Sequence, residues 1–378
     1  MEDFKLKDFD FEEEYKKIKE SINKPNILLC GATGVGKSSV INYIFGRKVA
    51  IVAAGEPVTR GIHKYEDEEI SVVLYDSEGY EIGNERISQF RENIINIIDK
   101  KKENSTSIND HIHLVWYCIS AANKRITDLD IKTINDIQKK GVKVGVLLTQ
   151  IDSTDEDELN GLIDTLKNEV RNIDFFRVSI DKWVPEEYLD WNQLIDWSIN
   201  NLDETLRNGF IKALDSTLDK KKRFINTKIV PGYGATAAGI AASPIPLSDA
   251  TILLPMQTGM CMNILYLWGI EQYKGLLEGI MSSTIISQAG KYVAKILTGN
   301  LLKLIPGAGS IVGGCVNAAV ASTFTLALGY AISELSYKYV VAIKDGKNVD
   351  ILDIFTNDAI VNMTNQYLKL YKKGALNG

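Results

Sequence analysis

The run NILLCGATGVGKSSVINYIF, Asn26 to Phe45, decides the fold. Five apolar-rich residues precede a glycine-rich turn, and an amphipathic stretch follows, which predicts strand, tight loop and helix in that order. Within it GATGVGKS, Gly31 to Ser38, fits G-x-x-x-x-G-K-[ST]. Glycines let successive backbone N–H groups curve around phosphate oxygens, and the helix that follows aims its positive end at the same anion. Lys37 is placed to reach the β- and γ-phosphates, and the Ser38 hydroxyl to hold Mg²⁺. The candidate nucleotide-binding residues are therefore Gly31, Ala32, Thr33, Gly34, Val35, Gly36, Lys37, Ser38 and Ser39. The plainer alternative, a glycine-rich strand-to-helix turn with no ligand, does not call for the lysine and the hydroxyl that close the motif.

Outward from this stretch, residues 25 to 203 alternate short β-rich runs with longer amphipathic ones. Strands are expected at 26–30, 71–76, 111–120, 143–150 and 174–180, and helices near 37–46, 84–103, 127–140 and 156–171, with another from about 186. That rhythm implies an α/β domain: a mostly parallel sheet with helices on both faces. After Asp203 no strand pattern appears and the composition moves toward Gly, Ala and Ser, so an all-α helical domain is expected over 204–378. Residues 1–24 set Phe4, Phe9, Phe11, Tyr15 and Ile18 among charges, which predicts a helix with one apolar stripe that packs on the helical domain.

A phosphate loop does not choose a base; two downstream segments do. In VVLYDSEG, Asp76 to Gly79 form D-x-x-G at the end of an apolar strand, setting a carboxylate beside the magnesium and a glycine N–H near the γ-phosphate. In VLLTQID, Thr149, Gln150 and Asp152 end another strand, and the Asp152 carboxylate can accept from both N1 and the exocyclic N2 of guanine. Adenine offers no such donor pair, and the wrong base would leave a buried charge unpaired.

These residues resemble the Era-like branch of the translation-factor class of P-loop GTPases, over roughly the first half of the chain. The resemblance implies GTP and GDP as substrate and product, Mg²⁺ as cofactor and hydrolysis as the activity. It also implies that Thr59 in GEPVTRG is a switch threonine completing the metal shell with Ser38 and Asp76, and that the backbone of Ser179 in FRVSI meets guanine O6. Lys37, Thr59, Gly79 and Arg60 are then the expected catalytic set, Arg60 as an arginine finger unless it is a solvated loop charge. Two residues depart from the pattern. Gln150 stands where a base-reading lysine is usual, and Tyr80 follows Gly79 where a water-orienting glutamine is common, so slow intrinsic hydrolysis is expected.

Composition sets further bounds. A formal charge of −6 over 378 residues argues against general affinity for nucleic acid, so none is expected as partner. Cys30, Cys118, Cys261 and Cys315 are too far apart for a zinc motif and read as reduced core thiols. His111 and His113 alternate on an expected strand and lack an evident third ligand. Trp183, Trp191 and Trp197 are expected to staple the two domains together. The N-terminus is too charged for a signal peptide, which predicts a cytoplasmic protein, either free or at the inner face of a membrane.

The stretches 241–270 and 304–333 resemble a helical domain of unknown function found after the G domain in some bacterial GTPases, and the layout is similar to that of vertebrate immunity-related GTPases. That resemblance implies a dynamin-like switch with a homodimer through the G domain and membrane lipid at the helical domain. Leu304 to Ser333 has the uncharged length to span a hydrocarbon core, though its many small and polar residues suit a buried hairpin equally. The basic cluster Lys220 to Arg223 is either a lipid-attracting patch or a solvated helix face. The alternative is a soluble regulatory GTPase acting on a protein or ribosomal partner.

Overall fold

The computed structural model describes residues 10–46, 56–59, 61–67, 70–80, 87–105, 107–241, 248–270, 276 and 314–372, and every structural statement below concerns these. Two compact units divide the chain. One runs from Ser21 to Thr217; the other joins the residues up to Glu20 with those from Leu218 onward.

In the first unit β1 (Asn26–Cys30), β2 (Glu56–Thr59), β3 (Ile62–Tyr65), β4 (Val73–Ser77), β5 (Leu114–Ser120), β6 (Lys143–Thr149) and β7 (Asp174–Arg177) form one sheet in the order β2-β3-β4-β1-β5-β6-β7. β4, β1, β5, β6 and β7 pair in parallel, whereas β2–β3 and β3–β4 are antiparallel. Every residue of β1 and of β5 is buried, as expected for central strands covered on both faces. The helices of this unit are α2 (Lys37–Phe45), α3 (Ile87–Glu103), α4 (Asp128–Lys139), α5 (Glu156–Glu169), α6 (Trp191–Asn200) and α7 (Glu204–Ala213), α1 (Phe11–Ser21) lying before β1. α4 and α5 start on capping boxes, Thr127 with Asp130 and Asp155 with Glu158, each satisfying two backbone donors.

Three expectations need correction. The hairpin β2–β3 is absent from the sequence reading, because EPVT and IHKY are four residues each and only half apolar. The first unit extends past Asp203 to Thr217, since α7 belongs to its core: Phe210 is fully buried against Phe45 and Trp116, ring centroids 5.8 and 6.3 Å away. His111 and His113 precede β5 instead of lying on it. His113 Nδ1 accepts from the Asn26 N–H at 2.9 Å and its Nε2 meets the Ile108 carbonyl at 3.0 Å, and burial, ahead of all other influences, lowers its pKa. A neutral imidazole serving the backbone on both nitrogens is a structural residue, and no group of three metal-ligating side chains occurs among the described residues.

The second unit is helical: α8 (Leu218–Phe224), a π-helical turn (Ile225–Ile229), α9 (Val230–Ala241), α10 (Ser248–Leu267), α11 (Gly314–Lys344), α12 (Ile351–Ile354) and α13 (Asn357–Lys372), together with α1 up to Glu20. Small residues set its spacing. A Cβ on Gly234 would meet Leu326 at 2.6 Å, and one on Gly329 would meet Val230 at 2.8 Å. No helix among the described residues is long and apolar enough to cross a membrane. Residues 304–313 of the expected span lie outside the description, and the rest belongs to α11, which carries Glu334. Nor is the basic cluster a free patch: Lys221 is buried near the Trp268 ring, and Lys222 pairs with Glu334 at 2.5 Å and sits over Tyr337.

The tightest test of the first unit is Gly209 on α7, where a Cβ would lie 2.2 Å from the Asn23 carbonyl oxygen and 3.0 Å from that of Ser71. Helix propensity favours Ala over Gly by about 1 kcal/mol, but two backbone carbonyls cannot yield. Gly209→Ala should therefore lower the stability of this unit by about 1–3 kcal/mol, read as an earlier urea transition of its tryptophan emission.

Candidate nucleotide site

Gly31 leaves β1 at φ 135°, and a Cβ there would fall 2.2 Å from the Cys118 carbonyl oxygen on neighbouring β5, so only glycine can make this turn. Gly34 and Gly36 follow at φ 78° and 89°. Lys37 opens α2 yet is only 8% exposed, because its ammonium folds over the loop and donates to the Gly31 and Ala32 carbonyls at 3.1 Å each. Ser38 is exposed and Ser39 half-buried.

Asp76 ends the apolar part of β4, in register with Leu29 of β1 and His63 of β3. Burial pushes its carboxyl above the ordinary aspartate range, opposed by the positive charges of Lys37 and His63. Its Oδ1 is buried without a hydrogen-bond partner among the described residues. An orphaned carboxylate oxygen and a hydroxyl are both oxygen donors that a hard divalent cation accepts, so the chemistry of Asp76 and Ser38 fits Mg²⁺.

The switch loop lies directly on the phosphate loop. A Cβ on Gly79 would come within 2.3 Å of the Thr33 nitrogen, and the Thr33 N–H donates to the Tyr80 carbonyl at 3.1 Å. The Tyr80 side chain turns into the core. Its hydroxyl donates to Asp130 Oδ1 at 2.6 Å and meets Thr127 Oγ1 at 3.2 Å, and its ring lies 5.0 Å from that of Phe90. Asp130 also accepts from the Tyr117 hydroxyl at 2.8 Å and from the Thr127 N–H and hydroxyl at 2.9 and 2.7 Å. Tyr80 is thus an anchor, which agrees with its inability to orient water through an amide.

At the ends of β6 and β7 lies a cavity of about 410 Å³ whose walls include Ser39, Gln150, Asp152, Ser179 and Trp191. Asp152 Oδ1 accepts from the Ser179 hydroxyl and Oδ2 from that of Ser153 at 3.0 Å. Burial works to raise its carboxyl, but these hydrogen bonds together outweigh burial and bring it below the ordinary range. The Thr149 hydroxyl donates to the Val35 carbonyl at 2.6 Å. Gln150, at φ 55°, accepts from Ser120 and donates through Nε2 to the Gly34 carbonyl at 3.3 Å, tying the base loop to the phosphate loop without a charge.

Two sequence-derived residues fall short of this geometry. Arg60 lies outside the described residues. Thr59 is described only as the last residue of β2, its backbone opposite Ile62. The tryptophan staple is also corrected. Trp191 is buried in the first unit, stacked on Tyr43 and lining the cavity; Trp197 packs on Phe176 and donates to Asp174 at 2.8 Å; Trp183 is 91% exposed. Trp191 and the Tyr80–Asp130 pair are the contributors that sequence reading missed. The Thr127-x-x-Asp130 capping box gave a signal for Asp130, but nothing in the chain marks Trp191.

Residues 26–150 match the 50S ribosome-binding GTPase family. This chain carries a P-loop GTPase domain. It is 26% identical over 148 residues to the probable GTP-binding protein EngB of Aquifex aeolicus, covering 39% of this chain and 76% of that one. To the GTPase Era of Clostridium acetobutylicum it is 22% identical over 206 residues, 54% of this chain and 63% of the other. Among solved structures, a probable GTP-binding protein engB is similar at 18% identity with a TM-score of 0.33, over 48% of this chain and 98% of that one. The family match stops at residue 150, and the resemblance in layout to immunity-related GTPases gains no support from it.

Because each Asp130 oxygen accepts from two donors and an amide offers only one acceptor oxygen, Asp130→Asn should destabilise the GTPase domain by about 1–3 kcal/mol. It should also raise the rate of proteolytic cleavage near Tyr80, measured by timed digestion against the parent chain.

Proposed function

We propose that this chain binds GTP and GDP with Mg²⁺, hydrolyses GTP to GDP and phosphate, and uses the segments around Thr59 and Gly79 as switches that act on its helical unit. The observation that carries this reading is the convergence, at the carboxyl ends of β1, β4 and β6, of the glycine loop with Lys37, the unpartnered Asp76 oxygen and the Asp152 carboxylate. β1 is where the strand order reverses, the place at which open α/β sheets hold ligands.

In this reading loop amides and the Lys37 ammonium hold the phosphates and offset charge gathering on the γ-phosphoryl oxygens during transfer to water. Ser38 and Asp76 would hold Mg²⁺, with Thr59 added in the GTP state, and the cation would supply charge neutralisation to the triphosphate. Asp152 reads the guanine edge, and Ser179 acts through its hydroxyl on Asp152. With Tyr80 anchored to Asp130, the chain offers no amide to the attacking water at that position, so turnover without a partner is slow. Loss of the γ-phosphate releases the Gly79 segment.

The partner reading favoured by the family match is ribosomal. The sequence ranked it second and expected no nucleic acid, yet the matched family is described as ribosome-binding. Co-sedimentation with large ribosomal subunits in a non-hydrolysable GTP analogue should exceed that in GDP; equal binding in both states would remove nucleotide control of the partner.

Lys37→Ala and Ser38→Asn should each abolish hydrolysis and Mg²⁺-dependent tight binding in a phosphate-release assay with calorimetry, and undiminished turnover would refute the site. Acid should also weaken Mg²⁺ binding. Asp76 holds its proton to a higher pH than an ordinary aspartate, and a protonated carboxyl cannot take the cation. The apparent Mg²⁺ Kd for the GDP complex should therefore begin to rise above the usual aspartate range, and Asp76→Asn should weaken binding at neutral pH and flatten that dependence.

A further inference from the structure

Ser179 is held from two sides. Its hydroxyl donates to Asp152 Oδ1 and accepts from the Asp181 N–H at 3.0 Å, while its carbonyl accepts from the Trp191 indole N–H at 3.2 Å. Ser179 is buried, so a carbonyl deprived of that donor would be left unsatisfied. Trp191 is itself buried, and its ring stacks on Tyr43 of α2 at a centroid distance of 4.1 Å and an interplanar angle of 21°. The indole therefore fixes the loop bearing Ser179 to the helix that opens at Lys37.

We infer that Trp191 is a positioning residue for guanine recognition: its N–H holds Ser179, and Ser179 aims the Asp152 carboxylate at the base. The inference rests on the proposed reading of Asp152 and adds what keeps that carboxylate in place. Trp191 also forms part of the cavity wall next to Val178 and Ser179, so a base that fills the cavity lies beside the indole. Guanine uses both N1–H and the exocyclic N2 amine on a carboxylate, whereas hypoxanthine keeps N1–H and lacks the amine. A carboxylate held in one orientation distinguishes these two bases; one free to rotate loses the second bond first.

The test compares Kd values for GDP and inosine diphosphate in the full-length chain. Trp191→Phe keeps an aromatic ring beside Tyr43 and removes the donor together with part of the indole. The preference for GDP over inosine diphosphate should shrink about three- to tenfold, the range for one lost buried hydrogen bond, with inosine diphosphate affinity nearly unchanged. Equal weakening for both ligands, no change, or no preference in the parent chain overturns the inference. Asp152→Asn, measured alongside, should exchange preference for GDP against xanthosine diphosphate; if it does not, the base reading itself fails, whatever Trp191 does. Should Trp191→Phe not fold, the parent chain still decides. By reciprocity of coupling, GDP must slow solvent exchange of the Trp191 indole N–H more than inosine diphosphate does, and equal protection overturns the proposal.

Discussion

The GTPase domain depends on a close approach of two main chains. At Gly31 the chain leaves β1 so near the Cys118 carbonyl that no side chain fits. This contact sets where the phosphate loop begins, and so where Lys37 and the start of α2 stand. Two other segments are then hydrogen-bonded to that loop and not merely near it. Thr149 reaches the Val35 carbonyl, Gln150 the Gly34 carbonyl, and the Tyr80 carbonyl takes the Thr33 N–H. The segments that follow β6 and β4 thus share one reference frame with the glycine loop. A shift in the Gly79 segment must be registered at Thr33, which is the physical link a nucleotide switch requires.

The two departures from the family pattern have different consequences in this frame. Gln150 keeps the mechanical part of a lysine's position, since its amide bridges Ser120 and the phosphate loop, and gives up only the charge. Tyr80 gives up more. Its hydroxyl is committed to an aspartate that also serves Tyr117 and Thr127, so freeing it would break its own bond and take from Asp130 Oδ1 one of two buried donors. The first substitution preserves the loop geometry, whereas the second ties side-chain release to a packing penalty.

The parallel core, its helices and the phosphate loop were legible because each rests on a local signal: a period, a capping residue, a glycine at a position that demands one. What sequence reading missed was long-range or short in extent. β2 and β3 are four residues each, too brief for alternation to register, and they are strands because β3 pairs with β4 and β2 with β3. The extension to Thr217 followed from Phe210 meeting Phe45 and Trp116, residues far away in sequence. Trp191 looked like an interdomain staple because an aromatic run carries no indication of which neighbour it will find; Tyr43 and the Ser179 carbonyl supplied the answer.

The helical unit shows why uncharged length alone decides little. Gly234 and Gly329 serve close helix contact, a role that lipid and protein surroundings both permit. Beside these contacts stands the polar chemistry between the helices. Gln257 donates to Thr325 at 2.9 Å, both buried, and Lys222 reaches across to Glu334 on the helix that contains Thr325. Such cross-helix pairs fix register by placing a donor opposite an acceptor, and a one-residue slip would bury both unpaired. The Gly- and Ala-rich surface supplies proximity without selecting a register. The few polar residues within the apolar stretches supply that choice, so the residues that weakened the membrane reading are the ones that define how α10 and α11 pack.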